Sequence, residues 1–132
     1  MRVLFVCVEN SCRSQMAEAF ANMLGVDGVE AWSAGSDPAG HVNDKAIEVM
    51  RELGYDLGTH ESRSVDDVPD IEFDYVVTMG CGDECPVVKA RMQIDWDIPD
   101  PRGMGLGDFR GVRDMIRERV QRLLAAPRVA AD

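Results

Sequence analysis

Four cysteines in this chain stand in two groups whose spacing suits thiol chemistry. Cys7 is followed by Arg13 in the pattern Cys-x5-Arg, and Ser14 comes next. Cys81 and Cys85 lie close together in the later segment "GCGDECPV". A thiolate is a nucleophile, a guanidinium grips two oxygens of an oxyanion, and neighbouring thiols exchange disulfides. The two groups therefore predict thiol chemistry on an oxyanion.

The first group lies in a predicted loop between a strand and a helix. Residues 2–8, "RVLFVCV", are nearly all apolar and β-branched, which is typical of a buried strand. From Arg13 onwards apolar residues recur at helical spacing, at Met16, Ala17, Phe20 and Leu24. Loop amides at the N terminus of that helix can form an anion nest. We therefore predict an oxyanion-binding loop made of Val8, Glu9, Asn10, Ser11, Cys12, Arg13 and Ser14.

Within this loop the residue types suggest separate roles. Cys7, at the end of the strand, would lie beneath the bound anion, where the positive field favours the nucleophilic thiolate. Ser14 can form a hydrogen bond with that thiolate, and Arg13 can hold the oxyanion. Asn10 tolerates the left-handed backbone that a tight loop requires. We expect Cys12 to pack inward as a structural residue.

The rest of the chain alternates between predicted strands and helices. Strands are predicted at 29–35, 73–79 and 91–98, with a short helical piece at about 83–90. One helix is predicted to stop at Gly25, and another begins after Asn43 and ends at Gly54. The last helix has the clearest apolar stripe, at Phe109, Val112, Ile116, Val120 and Leu123. This alternation predicts a parallel sheet flanked by helices on both faces, with ligands at the carboxyl ends of its strands.

Length and composition narrow the class of protein. A chain of 132 residues is expected to form one domain, residues 1–132, with a single packed core. Its 24 acidic against 14 basic residues argue against nucleic-acid binding, which needs basic surfaces. The sequence contains no apolar run of the ~20 residues that cross a bilayer, and its N terminus does not have the pattern of a signal peptide. We therefore expect no membrane partner, a cytoplasmic location and cysteines that are thiols.

A candidate acid stands beyond the fourth predicted strand, in the dipeptide Asp100-Pro101. Proline restricts the preceding residue to an extended geometry, which fixes how Asp100 projects. A carboxylic acid facing the loop could protonate a leaving oxygen while Cys7 attacks. The alternative is that Asp-Pro is simply a turn, since both residues favour turns.

The quoted segments together resemble the low-molecular-weight protein tyrosine phosphatase superfamily. The resemblance is carried by "VLFVCVENSCRSQMAEAF" at 3–20, "SAG" at 33–35, "HESRSV" at 60–65, "DYVVTM" at 74–79 and Asp100-Pro101. It is nearest to the thiol-coupled arsenate reductases, because Gln15 stands where the phosphatases usually have proline. Glu9 replaces the usual glycine, and we expect its carboxylate to point to solvent. The resemblance implies a three-layer α/β fold with a four-stranded parallel sheet in the order 2-1-3-4.

The resemblance also implies a reaction, the reduction of arsenate to arsenite. Cys7 would attack arsenate, with Asp100 as general acid, and Cys81 would then attack the sulfur of Cys7. Cys85 would open that disulfide, and thioredoxin would reduce the resulting Cys81–Cys85 bridge. Spacing alone indicates only that Cys81 and Cys85 can bridge, because one helical turn brings their Cα atoms to roughly 6 Å. Phosphate and sulfate are further candidate oxyanions.

Two other functions remain open from the sequence. A phosphatase acting on phosphotyrosine or another phosphomonoester would share Cys7, Arg13 and Asp100, but the resembled phosphatases place aromatic residues after the acid. Residues 101–111, "PRGMGLGDFRG", offer only Phe109. The second alternative is an oxyanion-binding redox switch without turnover, which signals to a partner.

Metal and cofactor sites are not predicted. The cysteine pairs are Cys-x4-Cys and Cys-x3-Cys, but the first pair lies inside the predicted oxyanion-binding loop, so zinc is disfavoured. We read His41 and His60 as surface or structural residues. Some resembled reductases bind potassium through four side chains, of which Asn10, Glu18 and Ser33 match here. The fourth position is Arg63, whose positive charge would replace the cation, so we expect Arg63 to support Asn10 or the loop instead.

Overall fold

The computed structural model describes residues 1–80 and 88–125, and this part of the chain contains four strands and three helices. The strands are β1 (Arg2–Cys7), β2 (Glu30–Gly35), β3 (Phe73–Thr78) and β4 (Ala90–Asp95). The helices are α1 (Arg13–Leu24), α2 (Asp44–Arg51) and α3 (Leu106–Ala125), with short 3-10 turns at Leu57–Thr59 and Val65–Asp67. These bounds agree closely with the predicted elements.

The four strands form one parallel sheet in the order β2-β1-β3-β4, which confirms the predicted order. Cys7, the last residue of β1, is paired with Gly35, the last residue of β2. On the other side of β1, Val6 is paired with Thr78 at the end of β3. The carboxyl ends of these three strands therefore meet at one edge of the sheet, where the fold places ligands.

Both faces of β1 are buried, as its continuous apolar sequence predicts. Val3 and Phe5 face a core that α1, α2 and α3 cover, chiefly through Met16, Phe20, Val49, Met50, Phe109 and Ile116. Leu4 and Val6 face a smaller cluster on the opposite side. In the described residues, that cluster is covered by the segment around the second 3-10 turn, including Val65, Val68 and Ile71. The sheet is thus the middle of three layers. In the described residues all three α-helices pack on one face, whereas the sequence predicted helices on both, because the segment with the second 3-10 turn covers the other face.

Two helix ends follow the predicted capping residues. The side chain of Asn43 accepts hydrogen bonds from the backbone amides of Lys45 and Ala46 at the start of α2. Gly25, with φ of 57°, ends α1 in the left-handed conformation. Within the described residues, none of the helices has both the length and the apolar character that crossing a membrane would need.

Three boundaries differ from the prediction. The fourth strand covers Ala90–Asp95 rather than 91–98, although Trp96 still donates its amide to the carbonyl of Thr78. The predicted helical piece at 83–90 lies mostly outside the described residues, and its last residue, Ala90, begins β4. On α3, Leu124 is the buried residue of the last turn, while Leu123 is only partly buried.

Candidate active site

A pocket of about 340 Å³ opens at the edge of the sheet where β1, β2 and β3 end. Among the described residues, its lining consists of Cys7, Val8, Glu9, Ser11, Cys12, Arg13, Asp37, Gly80, Asp100 and Arg102. The chain therefore brings the predicted nucleophile, guanidinium and acid together, although Cys7 and Asp100 are far apart in the sequence. The lining also includes Arg102, which the sequence did not single out.

The loop after β1 is shaped by hydrogen bonds on its outer side. The carbonyls of residues 8–12 accept hydrogen bonds from surrounding segments, with Asp37, Ala39, Asn43, Met16 and the side chains of Gln15 and Ser62 as donors. In a planar trans peptide, each carbonyl points away from the N–H of the next residue. The amides of residues 9–13 accordingly face the pocket, and those of 9–12 donate no hydrogen bond to another described residue. This loop is therefore a cradle for an anion.

The tight path of the cradle depends on Asn10 and Gly35. Asn10 has a φ of 47°, which confirms the predicted left-handed backbone at this position. Gly35, at the end of β2, passes so close to the loop that a Cβ atom there would be 2.5 Å from the carbonyl oxygen of Val8 and 2.9 Å from the amide nitrogen of Asn10. Glycine is required at residue 35 because these neighbours are backbone atoms that cannot move aside cheaply.

Cys7 is buried at the floor of the cradle, and its Sγ lies 2.9 Å from the Oγ of Ser14. The same Oγ accepts a hydrogen bond of 2.7 Å from the side-chain amide of Asn10. Because Oγ is already an acceptor for Asn10, its own hydrogen is free to be donated to sulfur. The predicted contact between Ser14 and Cys7 is therefore present, with the hydroxyl arranged to stabilise a thiolate.

Cys12 differs from Cys7 although both line the pocket. Burial raises the pKa of the Cys12 thiol to about 12, and the nearby Cys7 and Asp100 add to that rise. The side chain of Cys12 belongs to the apolar core under the sheet edge. This agrees with the structural role predicted for Cys12.

Arg13, the first residue of α1, is buried and held in place from two sides. Its Nη1 donates a 3.0 Å hydrogen bond to the carbonyl of Ile98. The same guanidinium packs against Gly80, where a Cβ atom would lie only 2.3 Å from Nη1. Gly80 also has a φ of 74°, which side-chain-bearing residues rarely adopt. The position of Arg13 is thus set by the Ile98 carbonyl and by close packing against Gly80.

Asp100 faces the pocket, with Oδ2 3.9 Å from the Nη2 of Arg13. Its carboxylate also receives hydrogen bonds from Arg102, at 2.9 Å from Nε and 3.1 Å from the backbone amide. The Glu9 carboxylate forms an ion pair with Arg102 and lines the pocket. The expectation that Glu9 points to solvent is wrong, because Arg102 supplies an opposite charge within its reach.

His60 is connected to the cradle by a chain of side-chain hydrogen bonds. Its Nδ1 is 2.9 Å from the Oε1 of Gln15, whose Nε2 donates to the Oδ1 of Asn10 at 2.9 Å. On the other side of the ring, Nε2 is hydrogen-bonded to the hydroxyl of Tyr55. The ring is therefore a structural element, one of the two roles predicted for His60. Since Asn10 in turn bonds to Ser14, the chain reaches the nucleophile's own partner.

The charge state of His60 follows from its surroundings. Burial lowers the pKa of His60; the Glu18 carboxylate opposes this effect and the Arg63 guanidinium adds to it. A neutral ring that carries its hydrogen on Nδ1 donates to Gln15 and accepts from Tyr55 at Nε2. The network is therefore complete with a neutral histidine.

Comparison with known proteins places this arrangement in a family. Residues 2–131 match the family described as low molecular weight phosphotyrosine protein phosphatase. The chain belongs to this family. The resemblance inferred from the sequence is thereby confirmed.

Relatives within the family include arsenate reductases. The chain is 39% identical to a glutaredoxin arsenate reductase of Synechocystis over 94% of this chain and 96% of the relative. It also superimposes on a solved arsenate reductase in the phosphate binding state with a TM-score of 0.84, at 36% identity and covering 94% and 96% of the two chains. A thioredoxin-dependent arsenate reductase from Corynebacterium glutamicum gives a TM-score of 0.74 at 30% identity, covering 93% of this chain and 59% of that one.

All four residues compared with a potassium site take part in hydrogen bonds within the chain. Ser33 donates to the Glu18 carboxylate, and Asn10 bonds to Gln15 and Ser14. The backbone amide of Arg63 donates to the Oδ1 of Asn10 at 2.8 Å. The prediction that Arg63 supports Asn10 is confirmed, and the support comes from its main chain.

Two points of the sequence analysis concern residues other than those that line the described pocket. Cys81 and Cys85 lie outside the described residues, so their part in the site remains a prediction. Phe109, the single aromatic residue in the segment after Asp100, is fully buried in the core against the helices. Among the described lining residues there is no aromatic side chain.

Proposed function

We propose that this protein reduces arsenate to arsenite. The observation that carries the proposal is the position of the Cys7 thiol, buried at the floor of a cradle of inward-facing amides with Arg13 and Asp100 on the same pocket. This arrangement fits a tetrahedral oxyanion with a nucleophile aimed at its central atom. Kinship with proteins that are named arsenate reductases supports arsenate as that oxyanion.

In the first step, the Cys7 thiolate attacks the arsenic atom of arsenate and a sulfur–arsenic bond forms. The bond from arsenic to one of its hydroxyl groups breaks, and Asp100, as general acid, gives a proton to the departing hydroxyl so that water leaves. The amides of residues 9–13 and the guanidinium of Arg13 hold the remaining oxygens and their charge. Ser14 stabilises Cys7 as the thiolate before attack.

The second step transfers two electrons to arsenic. The Cys81 thiolate attacks the sulfur of Cys7, a disulfide forms, and the electron pair of the sulfur–arsenic bond stays on arsenic, which leaves as arsenite. Cys85 then attacks Cys81, which frees Cys7 and produces a Cys81–Cys85 disulfide. The support for this relay is the sequence spacing of Cys81 and Cys85 and their place in the sequence shortly after β3, whose carboxyl end lies beside that of the strand that holds Cys7.

An external thiol must reduce the last disulfide, and we propose thioredoxin as that donor. A disulfide between neighbouring cysteines suits attack by a dithiol protein. The relatives are named for different donors: the Synechocystis protein for glutaredoxin and the C. glutamicum protein for thioredoxin. A single domain over residues 1–132 would carry the whole reaction in the cytoplasm, where such donors keep thiols reduced.

The pocket does not favour phosphotyrosine as the substrate. A phosphotyrosine ring needs apolar or aromatic walls, and the described lining is polar and charged apart from Val8, Gly80 and the two cysteines. Arsenate and phosphate have the same shape and charge, so slow hydrolysis of a small aryl phosphate is expected as a side reaction at Cys7.

The test is arsenate-dependent NADPH oxidation with thioredoxin and thioredoxin reductase, run in parallel with a glutathione and glutaredoxin system. We expect wild-type turnover with thioredoxin and none for Cys7→Ser. We expect Cys85→Ser to reduce one equivalent of arsenate and stop as the Cys7–Cys81 disulfide, detected by mass spectrometry as a protein lighter by two hydrogens.

The outcomes separate the parts of the proposal. No arsenate-dependent oxidation with either donor, together with rapid hydrolysis of an aryl phosphate, would replace the reductase with a phosphatase. Full steady-state turnover of Cys85→Ser would remove the relay while leaving arsenate reduction in place. Turnover only with glutaredoxin would change the donor and nothing else.

A further inference from the structure

The pocket contains a second guanidinium, that of Arg102, which follows the Asp100-Pro101 dipeptide. Its Nε and Nη2 each lie 2.9 Å from the Oδ2 of Asp100, and its Nη1 pairs with the Glu9 carboxylate. The guanidinium thus bridges the loop after β4 and the cradle. Its side chain remains 53% exposed, in contrast to the 10% of Arg13.

Glu9 makes this bridge necessary. Its carboxylate sits on the loop that would bind an oxyanion, and two negative charges in one pocket repel each other. The backbone of Glu9 cannot turn away, since its carbonyl accepts hydrogen bonds from the amide of Ala39 and the hydroxyl of Ser62. Pairing with Arg102 neutralises the carboxylate and at the same time holds a cation over the cradle.

Some N–H groups of the Arg102 guanidinium remain available to bind a ligand. A guanidinium carries five N–H groups, of which the one at Nε donates to Asp100. Nη2 is in ion-pair contact with Asp100 and Nη1 with Glu9, so within the described residues each of these nitrogens keeps at least one N–H for a further acceptor. Two parallel N–H groups match two oxygens of a tetrahedral oxyanion.

We propose that Arg102 is a second oxyanion-binding residue of this pocket and that Glu9 is the positioning residue that holds it there. The ligand is a small tetrahedral oxyanion such as phosphate or arsenate. Arg13 binds it from the buried side and Arg102 from the solvent side. The inference rests on the proposed function in one respect, that the pocket binds an oxyanion.

The test measures inorganic phosphate binding by isothermal titration calorimetry, so that it does not depend on turnover. We expect Arg102→Gln to weaken binding about tenfold, as expected for the loss of a charge-assisted hydrogen bond, and Arg102→Lys to weaken it less. Arg110→Gln is the matched control, because Arg110 is also a half-exposed arginine paired with a glutamate, Glu52, between α2 and α3. It should bind phosphate within twofold of wild type.

Glu9→Gln provides the decisive comparison, because its effect should change sign with the background. In wild type, Glu9→Gln removes the ion pair that positions Arg102 and should weaken phosphate binding by about threefold. In Arg102→Gln, where Glu9 is an unpaired negative charge, the same change removes repulsion and should strengthen binding by a similar factor. A residue that only stabilised the loop would act in the same direction in both backgrounds.

Two results would overturn the inference. One is equal phosphate affinity in Arg102→Gln and Arg110→Gln. The other is a Glu9→Gln change that strengthens binding in both backgrounds, which would make Glu9 repulsive and nothing more. Arsenate turnover of the wild type is recorded separately: tight phosphate binding that responds to Arg102 but comes without turnover would defeat the proposed function and leave this inference standing.

Discussion

Gly80→Ala is the substitution whose effect on this site can be worked out most directly. Gly80 follows β3 with a φ of 74°, and an added Cβ would lie 2.3 Å from the Nη1 of Arg13. The nearest ordinary contact is 3.4 Å, so the guanidinium must withdraw by about 1 Å. In the proposed reaction the buried Arg13 holds the oxyanion, so its displacement would act on binding and chemistry directly.

Gly80→Ala should affect the free energy of unfolding and the catalytic activity to different extents. Alanine in the left-handed region costs about 1–2 kcal/mol, but the clashing atom is the end of a long side chain and can move. A misplacement of about 1 Å in a positioning group costs about 100-fold in kcat/KM, which corresponds to about 2.7 kcal/mol of transition-state binding. Stability should therefore fall modestly while activity falls steeply.

Gly54→Ala is the matched control, since Gly54 has a φ of 84° and no atom within 4 Å of the added Cβ. The assays are thermal unfolding, phosphate affinity and kcat/KM for arsenate in all three proteins. We expect similar losses of stability in the two variants, with loss of activity confined to Gly80→Ala. Activity of Gly80→Ala within threefold of Gly54→Ala would refute the claim that Gly80 sets the position of Arg13.

Two further predictions concern the hydrogen-bond chain around the nucleophile. Because burial lowers the pKa of His60, the unfolded chain binds that proton more readily, and the free energy of unfolding should fall as pH drops below about 6.5. In thermal unfolding between about pH 7.5 and 5, His60→Gln should flatten this fall, and His41→Gln, at an exposed histidine, should not. If stability fell equally with pH in wild type, His60→Gln and His41→Gln, the claim that burial lowers the pKa of His60 would be contradicted. Ser14→Ala removes the hydroxyl 2.9 Å from the Cys7 sulfur, and at about pH 6 alkylation of Cys7, followed by mass spectrometry, should slow about tenfold. An unchanged rate would mean that the hydroxyl does not stabilise the thiolate.

Features encoded by neighbouring residues could be predicted from the sequence. An apolar run, a cysteine and a helical pattern from Arg13 are contiguous, so the strand, the loop and the helix follow from local rules. The anion-binding role of the loop remains part of the proposal. The left-handed backbone at Asn10 is equally local, because few other residues tolerate it. The sheet order needed the family resemblance, since alternation of strands and helices does not specify which strands are neighbours.

Features that depend on distant partners could not be predicted. Glu9 was expected to point to solvent because an acidic side chain beside an anion site would repel the ligand. Its partner Arg102 is distant in the sequence and reaches it only after the chain has folded. His60 forms a hydrogen bond with Gln15, which lies 45 residues away in the sequence. No sequence pattern predicts a hydrogen bond between a histidine and a glutamine. Such contacts are decided by the packing of loops, which leaves no period in the sequence.

The electrostatics of the site follow from its peptide groups more than from its side chains. The described lining holds the cations Arg13 and Arg102 against the carboxylates Glu9, Asp37 and Asp100, in a chain of net charge −10. Formal charges alone would therefore repel an oxyanion, and a thiolate at Cys7 would add to that repulsion. The inward amides of residues 9–13 and the N terminus of α1 supply fixed positive ends that no ionisation removes. Because such dipoles act only at short range, the protein can remain strongly acidic and still select an anion at one point of its surface.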